Sequence, residues 1–128
     1  MALNVPDAGE TAMLKLILND ATQGDVKIHL YSDDVTPGEA DAVASYTLVT
    51  DPAAKTLTGA SWDTTSTAGT ASYAQQTYTY SGAGTSYGYV VTDNAGTGIL
   101  FSERFSDGPY TIPSGGGTIK VTPTISLS

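Results

Sequence analysis

Few side chains in this sequence could do chemistry. His29 is the single histidine. It stands in the alternating run Val26-Lys27-Ile28-His29-Leu30-Tyr31 with no acid fixed beside it, so a solvated strand histidine accounts for it. Asp33, Asp34, Glu39 and Asp41 could gather around a hard cation such as calcium. Their spacing is not that of an EF-hand loop, however, and acids beside a helix start already answer the helix dipole. The stretch Asp93 to Gly98, DNAGTG, has the composition of a calcium loop and equally that of a hairpin turn. Gly82-Ala83-Gly84 and Gly115-Gly116-Gly117 lack the following helix and lysine of a phosphate loop. A serine hydrolase needs a histidine base and a Gly-x-Ser-x-Gly elbow, and no elbow is present. A glycosidase needs two facing carboxylates, and Glu103 is the one acid on an apolar strand face. No catalytic, cofactor-binding or metal-binding residue is therefore assigned, and the expectation is a protein that is not an enzyme.

The tyrosines are the other candidates. Tyr73, Tyr78, Tyr80, Tyr87 and Tyr89 fall in successive strands and could form an aromatic ladder on one face. Tyrosine buries area at little rotamer cost and keeps a polar tip, which suits a glycan or a protein partner. Cross-strand pairing within the domain is the simpler use. Tyr78, Tyr80 and Tyr89 are carried forward as candidate interface residues. Leu3, Val5 and Pro6 join them from an extended N-terminal arm over residues 1–9, where proline holds the backbone open.

Composition narrows the partners. The chain has 128 residues, no cysteine, 5 basic and 13 acidic residues, and a formal net charge of -8. That length suits one domain, here residues 10–128. The acidity disfavours nucleic acid and anionic membrane surfaces, and the scattered bases form no compensating stripe. No basic, apolar leader opens the sequence. The best apolar run, Met13 to Leu18, is too short to span a bilayer and carries Lys15. The expectation is synthesis and retention in the cytosol, or assembly there before release by another route.

The elements that would position these residues read as β. Leu14, Leu16 and Leu18 alternate as a first strand, and Asn19 to Asp25 supplies a turn. Val26, Ile28 and Leu30 then form one face of a second strand, with Lys27, His29 and Tyr31 on a wet face. Thr36-Pro37-Gly38-Glu39 has the pattern of a capping box, which predicts one short helix near Pro37 to Ala44. Parity changes within Ala71 to Ser81, predicting a bulge. Pro123 interrupts the last strand, as proline does at edges or bulges. Seven or eight short strands with regular turns predict an all-β fold, an antiparallel β-sandwich with jelly-roll order as one candidate topology.

From Leu57 onward the wording of the chain carries a resemblance. LTGASW, then YAQQTYTYSGAGTSYGYVVTDNAGTGILFSERF, then DGPYTIPSGGGTIKVTPTISLS together resemble small virion proteins of tailed bacteriophages. The N-terminal half departs from that pattern, and no functional residue is carried over. The resemblance implies a head decoration (cement) protein that binds the major capsid protein and copies of itself, with a trimer favoured. It also implies a place on the capsid surface after assembly in the host cytoplasm. The alternative is a tail- or fibre-associated receptor- or carbohydrate-binding module using the tyrosine face.

Overall fold

The computed structural model describes residues 3–17 and 24–126. The described chain is mostly antiparallel β with one α-helix, α1 (Asp7–Ile17). Strand β1 (Val26–Tyr31) pairs with the short β2 (Lys55–Leu57) on one side and with β6 (Gly88–Asp93) on the other. Strand β7 (Ile99–Arg104) completes the sheet in the order β2-β1-β6-β7. Three two-stranded ribbons make up the rest: β3 (Thr70–Ser72) with β10 (Thr124–Ser126), β4 (Gln76–Tyr80) with β9 (Gly117–Val121), and β5 (Gly84–Ser86) with β8 (Tyr110–Ile112). This pairing gives no jelly-roll assignment.

The helix is where a strand was expected. Met13, Leu14, Leu16 and Ile17 recur at intervals of three and four, and a contiguous apolar run can be read with either period. Asp7 and Glu10 occupy the first turn, where negative charge suits the dipole. The Glu10 N–H bonds to the Pro6 carbonyl. Leu18, the turn from Asn19 to Gln23 and Leu127 lie outside the described residues.

Helix α1 packs on β7, and Gly9 makes the approach possible. A Cβ there would stand 2.0 Å from the Leu100 carbonyl oxygen, closer than any side chain can approach a backbone oxygen. Only glycine permits that contact. The expected arm over residues 1–9 is accordingly corrected. Asp7 to Gly9 are helical, and Asn4 makes a two-way backbone bridge to Ser102, at 3.0 and 2.9 Å.

The one helix that was expected, near Pro37 to Ala44, is replaced by a single 3-10 turn at Val43–Ser45. Asp41 takes up the Gly38 N–H at 2.8 Å, and such local side-chain bonds compete with helix propagation. Glycine at 38 weakens the helix further.

The central sheet is covered on both faces. On one, Ile28, Leu30, Tyr89, Val91 and Phe101 pack with Leu57, Tyr78, Tyr80, Ile119 and Val121, so the β4–β9 ribbon forms the opposing layer. On the other, Tyr31 and Val90 pack with Tyr46, Val35, Val43 and Leu48 from the strap of residues 32–50. Tyr31 is therefore fully buried rather than on a wet face. The strap stays in place because its own backbone is paired: Ser32 N–H bonds to Thr47 O, and Val49 N–H to Leu30 O. The parity change after Ala71 marks the passage from β3 to β4, not a bulge. Pro123 likewise sits between β9 and β10.

Candidate binding surface

The polar groups that could have formed a site mostly hold the chain together. His29 on β1 lies 3.0 Å from the Thr92 hydroxyl of β6. Burial and then the charge of Lys27 lower its pKa from 6.5. Thr92 donates its own proton to the Asp93 carbonyl, so the imidazole Nε2 is the donor to Thr92. The Asp93 carboxylate accepts from Thr97 N–H, Gly98 N–H and the Thr97 hydroxyl at 2.9 to 3.1 Å. It closes the β6–β7 hairpin, with Gly96 at φ +75° supplying the left-handed residue.

The acids of the strap are spread over separate tasks. Asp33 accepts the Thr47 N–H at 2.9 Å, and Asp41 accepts the Tyr46 hydroxyl at 2.6 Å. Asp34 pairs with Arg104 at 2.6 Å. Arg104 also bonds the Val35 carbonyl and lies 5.2 Å over the Tyr87 ring. Among the described residues no group of three His, Asp or Glu side chains could hold a metal ion. Glu103 accepts the Tyr89 hydroxyl at 2.9 Å. Burial first, and the Glu103 charge second, hold that phenol well above its ordinary pKa.

The candidate interface from the sequence does not assemble. Tyr78, Tyr80 and Tyr89 are buried in the main core, on β4 and β6, which belong to different sheets. Tyr78 donates to the Ile28 carbonyl across the two layers at 2.8 Å, a bond within the domain. These three present no ladder to a ligand. Their alternation with Thr77, Thr79, Gly88 and Val90 was legible, but which face would be covered depends on the opposing layer. Leu3 and Val5 pack against the same core and Pro6 is buried, so they too are turned inward.

What the structure offers instead is an apolar cleft between α1 and the β3–β10 ribbon. Met13 from α1, Val26 from β1, Ala71 from β3, Phe101 from β7, Ile125 from β10 and Trp62 line a volume of about 190 Å³. At Met13, Ala71 and Ile125 it adjoins a second depression of about 300 Å³, edged by Thr64, Gly69 and Thr70. Trp62 packs edge-on against Tyr73, ring centres 5.2 Å apart, which sets the indole at the cleft wall. No periodicity in the sequence could reveal this site. Its walls come from five separate elements and the segment at Trp62. The one local hint is a lone tryptophan beside a run of Thr, Ser and Gly.

Compared with protein-family models, with curated proteins and with solved structures, the chain finds no match.

Proposed function

We propose that the protein is a structural subunit of a tailed-bacteriophage particle, a head decoration (cement) protein that bridges capsid subunits and associates with copies of itself. The observation that carries the reading is the contrast between its polar and apolar groups. The acids, hydroxyls and aromatic rings that could do chemistry serve as contacts within the chain, whereas among the described residues an apolar cleft is left open. A small apolar recess of this kind can receive a single anchor side chain of another protein. The resemblance of the chain from Leu57 onward supports the particle assignment. The alternative of a glycan-binding tyrosine face loses its support, because Tyr78, Tyr80 and Tyr89 are buried.

The test is biochemical. Particles are purified, the protein is selectively dissociated, and bare heads are compared with heads to which it is added back. Saturable rebinding that restores heat resistance is the expected result. A protein that sediments apart from particles, or only with tails, overturns the head-decoration reading.

A further inference from the structure

We propose that the cleft between α1 and the β3–β10 ribbon docks a partner-protein segment that inserts one large apolar side chain and carries lysine or arginine beside it. This rests on the particle-subunit reading and names the chemistry of the contact.

Size argues for a side chain. Taken alone, about 190 Å³ lies below the range of roughly 300–1,000 Å³ typical of cofactor and drug-sized pockets, a range reached only together with the adjoining depression. The walls named above are all apolar, so the inserted group has no polar atom to satisfy. The depression beside it, with Thr64 and Thr70 at its edge, leaves room for the flanking backbone of the incoming segment.

Charge argues for basic flanks. Glu10 stands one helical turn before Met13 on the same face of α1. Asp63 immediately follows Trp62. Both are exposed. Asp63 is held ionised, its pKa lowered to about 2 by hydrogen bonds from Ser66 and Thr65. Lys27 alternates to the opposite face of β1 from Val26. A second copy docking through the same patch would bring these carboxylates against their own kind, which disfavours self-pairing here.

Trp62 is the only tryptophan in the chain, so its emission reports the cleft directly. The full chain is titrated with two short synthetic peptides that share a central Leu-Phe, one flanked by lysines and the other by glutamates. The expected result is a saturable blue shift with the lysine peptide alone, weakening severalfold between about 50 and 300 mM salt as screening grows. Met13→Lys is expected to weaken binding by about tenfold or more while the circular dichroism and unfolding midpoint stay as they were. Equal responses to both peptides, or none to the lysine peptide, overturn the proposal. So does a Trp62 already shielded from acrylamide in the free protein, because the cleft is then covered by its own chain. Emission that shifts with protein concentration makes a second copy the occupant and overturns it as well. Heads that bind the Met13→Lys variant as well as the parent refute the cleft and leave the particle reading standing. A protein absent from particles refutes the particle reading, whatever the peptides do.

Discussion

Replacing Gly9 by alanine adds one methyl group where α1 meets β7, and the sign of the stability change tests whether that helix is docked. The new Cβ would lie 2.0 Å from the Leu100 carbonyl oxygen, against an ordinary contact of 3.4 Å or more. The helix must therefore retreat by more than 1 Å, or β7 must give way. The oxygen belongs to the backbone of a hydrogen-bonded strand and cannot rotate aside as a side chain would. Overpacking costs about 1–3 kcal/mol, and a clash this close with strand backbone falls in the upper part of that range, about 2–3 kcal/mol. Alanine in place of glycine within a helix returns up to about 1 kcal/mol of propensity. The balance is a net loss of roughly 1–2 kcal/mol, a fall in Tm of about 3–8 °C for a chain of this size. Urea unfolding followed by far-ultraviolet circular dichroism measures it, with Trp62 emission as a second probe beside the helix. A Gly9→Ala protein as stable as the parent, or more stable, would refute the docked helix, since a free helix gains from alanine.

Further outcomes separate the roles of single groups. Tyr80 carries the one buried side-chain polar atom without a partner among the described residues, so Tyr80→Phe is expected to leave stability unchanged or raise it by up to about 1 kcal/mol. Tyr78→Phe removes the bond to the Ile28 carbonyl and should cost about 1 kcal/mol in the same denaturant assay. His29 has a folded-state pKa below 6.5, so the unfolded chain binds more protons just below that pH. Stability should then fall as pH drops through 6.5 and level off below the lowered value, and His29→Gln should flatten that part of the profile. Asp93→Ala opens the β6–β7 turn and is expected to cost about 1–2 kcal/mol at neutral pH. Burial raises the pKa of Asp93, but bonds from Thr97, Gly98 and Gly96 outweigh it, leaving it below 3.8. The advantage of the native aspartate should therefore fade only as pH falls through that depressed value.

Much of the architecture is local and so was written in the residue order. Alternation in Val26 to Leu30 places three apolar side chains on one face whatever lies opposite. The Asp93 to Gly98 turn needs only its own carboxylate and a glycine able to take positive φ. Both features hold in the structure, as does the predominance of antiparallel β. Tertiary structure decided the rest, because it depends on what approaches from elsewhere in the chain. Met13 to Ile17 suits a helix or a strand in isolation; Gly9 against Leu100 and the Asn4–Ser102 bridge set the helix on β7. Tyr31 has the parity of an exposed residue and is buried because the strap, fifteen or so residues further on, returns over it at Leu48. Tyr78, Tyr80 and Tyr89 had the spacing of a recognition face, but a pleated strand has two sides and its own sequence does not choose the dry one. The apolar cleft is the extreme case. Residues as far apart as Met13, Trp62 and Ile125 become one surface only when the helix and the last ribbon come together beside Val26 and Phe101 of the central sheet.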